Sequence, residues 1–409
     1  MKKKISMLLA GILSVSLLAG CQGGSNGEKE GEKSKGEVAQ GVEGDTIKVG
    51  TIAPTSGGVA VVGIPVTHGM EAYFKMINEE GGVNGKKIEL VVKDDGFKPD
   101  VALQKAEELV EKDKVFAIVG QTGTPGALSC IDYLSEKGIP AVYQGTGASK
   151  LSQVKGNYFP VQPNYIFEGS LMAKYMIDDL KANKIAVIYE NNDIGKEGLE
   201  GIKGKLKKMG KESALVTEVP YNPADVDFSA HVQKLSENTP DVTVIYGNAK
   251  PAAGIANEAK KQGFKTQFLA SYIVADITLF QLAKDAWDGA ITAAWVPDIT
   301  DPNNAEAKKF NDTFKKYFPD ETPNAYGVAG WVAAQVFTEG LKRVKGDLTW
   351  ENYIKSMESL KDYSEGIAKG ITYTEDRRNG VEKMYFMKAK YVDDKNFGYE
   401  KITDFISAE

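Results

Sequence analysis

An α/β fold of two doubly wound, parallel-sheet lobes joined by a multi-crossing hinge is what this sequence predicts, and three observations carry it. Strand-like and helix-like segments alternate regularly between residues 47 and 143. The alternation restarts after Tyr165. The C-terminal third then adds helices and strands without beginning a third series, so those pieces must return to complete the first two lobes.

In the first series, Ile47–Ala53, Ile88–Lys93, Val115–Val119 and Pro140–Tyr143 read as short buried strands. Between them Pro65–Glu79, Pro99–Lys112 and Pro125–Lys137 have helical spacing, as in Leu103, Ala106, Leu109 and Val110. Pro65, Pro99 and Pro125 each suit a first helical turn, and Gly81 and Gly138 sit where a left-handed cap is needed.

The second series begins with helix Leu171–Leu180, strand Ile185–Tyr189 and helix Gly195–Met209. Strands near Ala214–Val219 and at Val242–Tyr246 follow, then helix Pro251–Lys261, strand Gln267–Ala270 and helix Asp276–Lys284. In the C-terminal third, Ala305–Tyr317, Ala325–Arg343 and Trp350–Leu360 read as helices. Ile371–Thr374, Lys383–Tyr391 and Gly398–Ile402 read as strands. The resulting division gives residues 45–164 plus 296–372 to a first lobe and 165–295 plus 373–409 to a second. Two such lobes, facing each other across the carboxyl ends of their strands, form a cleft suited to capturing a small molecule by closure.

The N-terminus sets the compartment. Lys2-Lys3-Lys4 leads an apolar run, Ile5 to Leu18, too short to cross a bilayer as a helix, and Leu18-Ala19-Gly20-Cys21 follows at once. This is the pattern of a bacterial lipoprotein signal over 1–20, with Cys21 as the lipidated residue. Two or more acyl chains would hold the chain stably on the outer face of the cytoplasmic membrane. From Gln22 to Gly44 the residues are almost wholly Gly, Ser, Asn, Gln, Glu and Lys, a composition that cannot bury a core. Residues 21–44 are therefore expected to tether the body, the 23 after the cysteine reaching roughly 25 Å as a flexible coil.

Removal of 1–20 takes away three lysines and moves the net charge from −6 to −9. An acidic body without a Lys/Arg stripe argues against nucleic acid. Cys130 is the one cysteine besides Cys21, and it lies among Leu128, Ile131 and Leu134 at helical spacing, which predicts a buried structural thiol. The two histidines, His68 and His231, fall on predicted helices without Cys, Asp or Glu at metal-ligand spacing. No Gly-x-Ser-x-Gly elbow is present. Asp94-Asp95 and 298–301 read as turns. No metal, cofactor or catalytic constellation is expected.

Binding chemistry is concentrated at the strand ends. Gly120 to Gly126 (GQTGTPG) follows a buried strand and opens a helix, with Thr124 placed as N-cap and Pro125 as first helical residue. There a carboxylate could be met by N–H groups, a hydroxyl and the helix dipole; the competing reading is a plain helix cap. The next strand ends in Gln144 to Ser149 (QGTGAS), so that Gly145, Thr146 and Gly147 could converge on the same anion. Neither loop matches a phosphate or dinucleotide motif. Thr55 to Ala60 borders the same place. The second lobe offers Asn191-Asn192-Asp193-Ile194, Asn248-Ala249-Lys250 and Ser271-Tyr272-Ile273, while Gln162-Pro163-Asn164-Tyr165 lies at the first crossing. Tyr165 and Tyr272 could stack on a ligand or simply pack.

With these residues in place, the chain resembles the solute-binding lipoproteins of ABC importers with the type I periplasmic-binding fold, in the leucine/isoleucine/valine-binding family. The marks are Ile47-Lys48-Val49-Gly50 with Ser56-Gly57, NEEGGVNG at 78–85, Lys93-Asp94-Asp95, Val119 to Thr124, Gly138-Ile139-Pro140, Gly145 to Ser149, Ile185 to Tyr189 and Asp227-Phe228-Ser229. The resemblance covers essentially all of 45–409. It implies that Thr124, Gly145 and Gly147 hold a ligand carboxylate. The family's usual acidic residue for a ligand ammonium is replaced by Tyr272, and Tyr165 stands where another acid is common, which argues against an α-amino acid. GTGASK at 145–150 and QPNY at 162–165 resemble a subgroup that binds aromatic acids.

The expected function is capture of a small carboxylate and delivery to a membrane permease driven by ATPase subunits, by a monomer that performs no chemistry. The binding set is Thr124, Gly145, Thr146, Gly147, Tyr165, Ile194 and Tyr272. In the branched-chain amino-acid alternative, Asp193 or carbonyl oxygens take the ammonium. A lipoprotein reporting to a membrane receptor and an exported enzyme are the readings from other classes.

Overall fold

The computed structural model describes residues 38–299, 301 and 303–408. The signal segment, Cys21 and residues 22–37 of the expected tether lie outside the described residues. The first sheet is built from β1 (Val42–Glu43), β2 (Thr46–Ala53), β3 (Lys87–Asp94), β4 (Ala117–Thr122), β5 (Ala141–Gly145) and β6 (Tyr158–Phe159). Its main path runs β3-β2-β4-β5-β6, all parallel, with β1 as a short antiparallel addition to β2. The folded body thus starts before residue 45. Ala39 donates its N–H to Leu348 O at 3.1 Å, Gln40 Nε2 donates to Val115 O at 3.0 Å, and Val42 pairs with Ile47. Two of the final residues of the expected tether, Ala39 and Val42, pack against the first core and so join the sheet's rim.

The second sheet contains β7 (Ile185–Glu190), β8 (Leu215–Tyr221), β9 (Val242–Tyr246), β10 (Gln267–Ala270) and β11 (Ile291–Ala294) in parallel, order β8-β7-β9-β10-β11. In both sheets the first long strand lies inside the second, so strand order reverses beside β2 and β7. That reversal opens a crevice at the carboxyl ends. A hairpin of β12 (Thr372–Thr374) and β13 (Arg377–Gly380) follows, and β14 (Tyr385–Asp393) and β15 (Asn396–Lys401) extend the second sheet antiparallel beyond β11.

Strands β4 and β9 are buried along their whole length, as central parallel strands covered on both faces must be. Val119 and Val142 face a core shared with Ala333 and Phe337, while Ile118 and Ala141 face Leu109, Cys130 and Leu134. Cys130 is fully buried, and burial pushes its thiol pKa up. Helices Ala305–Tyr317 and Ala325–Lys342 pack on the Ala60–Glu79 helix of the first sheet. The fit is close enough that a Cβ on Gly330 would overlap the Val66 carbonyl. Trp331 meets Tyr73 edge-on at 4.8 Å. Asn164, Asn192, Asn304, Asn324 and Thr349 cap their helices with side-chain oxygens.

The chain passes between the sheets after β6, after β11 and after the β12–β13 hairpin. The hairpin itself stays with the first sheet: Val381 N–H bonds Val161 O at 2.9 Å, and buried Arg378 donates to Gly156 O at 2.8 Å. Several helix bounds differ from expectation: the helix expected at Leu171–Leu180 runs Tyr165–Asp178, and those expected to begin at Gly195, Pro251 and Asp276 begin at Asp193, Ala249 and Thr278. Pro65 lies inside a helix that begins at Ala60, and the predicted Pro125–Lys137 helix is broken at Cys130 into Thr124–Ser129 and Ile131–Lys137.

Candidate ligand site between the lobes

Strands β4 and β5 run side by side with Thr122 opposite Gly145, so the loops leaving them are neighbours. Two residues earlier both strands kink. Gly120 has φ +72° and Tyr143 has φ +56°, and these two residues are skipped in the pairing register. A buried tyrosine in the left-handed region is costly, and such strain is typical of a functional site. Tyr143 is held there with its hydroxyl donating to Gln162 Oε1 at 3.0 Å.

Thr124 departs from its expected place by one position. Gly123, at φ +110°, is the N-cap, and Thr124 is the first helical residue. Its hydroxyl is therefore not spent on a cap. It lies 2.7 Å from Thr146 Oγ1, which also accepts the Ala148 N–H at 3.1 Å and stands 3.4 Å from the Tyr165 hydroxyl. Thr124, Thr146 and Tyr165 are all buried.

Position 147 of this loop tolerates no side chain. A Cβ there would come within 2.7 Å of Pro163 O and of the Tyr165 ring, and 2.5 Å from the Tyr272 hydroxyl. Gly145 sits directly over Thr122, its would-be Cβ 3.2 Å from the Thr122 Cα. Tyr272 donates its hydroxyl to Pro163 O at 3.0 Å and accepts from Gln162 Nε2 at 3.0 Å. The rings of Tyr165 and Tyr272 lie 6.2 Å apart and 23° from parallel. Thr124, Gly145, Thr146, Gly147, Tyr165 and Tyr272 are thus gathered at one place, where first-sheet loops meet the first crossing and the end of β10.

Ile194 is buried near the start of the Asp193–Lys208 helix, whereas Asp193 is exposed and makes no hydrogen bond or ion pair with the described residues. Asp94, read as a turn residue, ties the loop after β2 by accepting the N–H groups of Thr55 at 2.9 Å and Ser56 at 3.2 Å. A hydrogen bond from the Ser56 hydroxyl and these backbone donors keep its pKa low.

Sequence reasoning missed Glu168. It is fully buried, with Oε1 accepting the Tyr272 N–H at 2.7 Å and Oε2 accepting Ser271 Oγ–H at 2.8 Å and the Tyr246 hydroxyl. Burial pushes its pKa up to about 7 against these three donors. The signal was available: an acid on the same helical stripe as Tyr165, Leu171 and Met172, all buried. Glu190, at the end of β7, is likewise buried and accepts from Asn192 Nδ2 at 2.6 Å and Asn248 Nδ2 at 2.9 Å. With Asp95 and Asp276, these are the buried carboxylates among the described residues, and each already accepts an N–H or O–H donor.

Residues 46–396 match the family model described as periplasmic binding protein. The Leu/Ile/Val-binding protein homolog 2 of Brucella abortus is 30% identical over 287 residues, covering 69% of this chain and 76% of that protein. Among solved structures, the solute binding protein of an ABC transporter from Rhodopseudomonas palustris, in complex with 3,4-dihydroxybenzoic acid, superposes with a TM-score of 0.77 at 25% identity. It covers 89% of this chain and 98% of that one. The branched-chain amino acid transporter substrate binding protein LivJ from Streptococcus pneumoniae, in complex with isoleucine, gives 0.70 at 21% identity, covering 87% and 100%.

Proposed function

Because this chain belongs to the periplasmic binding protein family, whose relatives here are transport solute-binding proteins, we propose that it captures a small carboxylate between its lobes for an ABC importer. The observation that carries this reading is the convergence of the Thr124 and Thr146 hydroxyls from adjacent first-sheet loops, opposite Tyr165 and Tyr272. Hydroxyls without a neighbouring cation suit a carboxylate held by neutral donors.

The ligand body is proposed to lack an ammonium. Tyr272 occupies the position expected of an acid, Asp193 is exposed to solvent, and the buried Glu168 and Glu190 are already bonded within their own lobe. An ammonium taken from water without a free acceptor loses several kcal/mol, about 2–7 for an unpaired polar group and more for a charge. An aromatic or other planar acid suits a site bordered by tyrosine rings. The Rhodopseudomonas relative, with its dihydroxybenzoate, supports this choice, and the isoleucine complex of the Streptococcus protein supports the branched-chain alternative.

Closure would deliver the acid to a permease with ATPase subunits, and Cys21 would carry the lipid that holds the protein at the membrane. The test is a thermal-shift screen of benzoates and short-chain acids against leucine, isoleucine and valine. A ligand at a hundred times its Kd raises stability by about 2.7 kcal/mol. Benzoate-type acids should raise Tm while the amino acids leave it unchanged; the opposite pattern overturns the non-amino ligand.

A further inference from the structure

Besides the threonine cluster, two carboxylates of the second lobe reach across the cleft, one of them to the end of the same Gln144–Ser149 loop. Glu197 lies on the Asp193–Lys208 helix. Its Oε2 accepts the backbone N–H of Ser149 at 2.8 Å, and its Oε1 accepts the Ser149 hydroxyl at 3.0 Å. Asp276 follows the Tyr272–Val274 turn. Its Oδ2 accepts the backbone N–H of Ala325 at 2.9 Å, while Oδ1 accepts the Thr278 N–H at 2.8 Å. Ser149 and Ala325 are each the first residue of a first-lobe helix, where the backbone N–H has no partner within its own helix.

Both contacts pair a charged acceptor with a donor that the helix leaves free, and the donor regains water when the lobes part. Asp276 is buried and Glu197 is half-buried, so water competes less well for either contact than at an open surface. We propose that Glu197 and Asp276 are the closing latches of the cleft: they bias the lobes toward the closed arrangement and set how slowly a captured ligand leaves. The latches would act through lobe closure, and the role of closure rests on the solute-capture reading above.

The helix starts permit a clean test. Proline is favoured at the first helical position, where it lacks only an N–H that the helix does not use. The preceding residues already have the extended backbone that proline requires, Ala148 at φ −57°, ψ 123° and Asn324 at φ −146°, ψ 174°. Ser149→Pro and Ala325→Pro should therefore remove the two latch donors and keep both helices. Glu197→Gln and Asp276→Asn weaken the same contacts from the other side.

Spin labels placed at exposed Lys98 in the first lobe and Lys234 in the second would report lobe separation in ligand-free protein by pulsed dipolar spectroscopy. Each proline variant should shift the distance distribution toward longer separations while keeping the wild-type Tm within a few degrees. For the acid found in the thermal screen, the off-rate should rise roughly tenfold per latch. Unchanged distances in all four folded variants overturn the proposal. The distance measurement needs no ligand, so longer separations in the variants together with no stabilisation of wild type by any acid of the thermal screen would uphold the latches and reject the capture reading. Tight acid binding with unmoved lobes would do the reverse.

Discussion

Thr124 and Thr146 bring their hydroxyls to within 2.7 Å of each other although 22 positions separate them in the chain. Parallel pairing of β4 and β5 produces the contact, and the Gly123 cap leaves the Thr124 hydroxyl free to make it. The pair is the anion-receiving end of the proposed site.

Thr146→Val should leave the fold intact and weaken acid binding. Valine fills nearly the same volume, but one hydroxyl donor to a charged acceptor is lost, worth about 1.5–3 kcal/mol. The Ala148 N–H also loses its acceptor at 3.1 Å. Titration calorimetry should show affinity reduced roughly tenfold or more. Undiminished binding would remove Thr146 from the site.

Gly147→Ala tests the tight meeting of loop and crossing. The new methyl would push on Pro163 O, the Tyr165 ring and the Tyr272 hydroxyl at once, the first of them backbone at the crossing. Overpacking of this kind costs about 1–3 kcal/mol. Urea unfolding should register that loss, and acid binding should fall with it. A variant as stable as wild type, with full affinity, contradicts the packing described.

Much of the architecture is legible from the chain because the signals are local. Continuous apolar runs such as Val242–Tyr246 mark central parallel strands, and the helix Ala305–Tyr317 has the bounds its pattern predicts. What is illegible is short or tertiary. Strand β6 has two residues and β11 only four, Ile-Thr-Ala-Ala, too few to show a period. The helix Ser149–Gln153 carries no such signal, since it is short and its sense depends on what it packs against. The candidate loops were readable as small-residue strand ends. The partners of Glu168, Glu197 and Asp276 were not, because their contacts join residues 104, 48 and 49 positions apart.

Stability should fall as pH rises through about 7, because of Glu168. Its carboxyl is held near 7 in the folded state against 4.5 for an ordinary glutamate. Between those values the folded state binds the extra proton, so its contribution is fully present below about pH 4.5 and lost as pH climbs past 7. The size is on the order of 3 kcal/mol. Urea denaturation at pH 5, 6, 7 and 8 measures it, and Glu168→Gln should flatten that portion of the slope. An identical slope in the variant would assign the effect elsewhere.

Asp193→Asn should be silent. The side chain is exposed and meets no partner among the described residues, so neither Tm nor affinity for the best acid should change beyond about 0.5 kcal/mol. A marked loss of leucine affinity in this variant would instead support an ammonium site at the start of that helix.

The most direct measurement is calorimetry on wild type and Thr124→Val with the best-binding acid and with its carboxamide, which has the same shape without the charge. Wild type should bind the acid and bind the amide at least tenfold more weakly, and Thr124→Val should lose most of the acid affinity while keeping its fold. Equal binding of acid and amide, or full acid affinity in the valine variant, would show that the ligand's carboxylate is not received at this threonine pair.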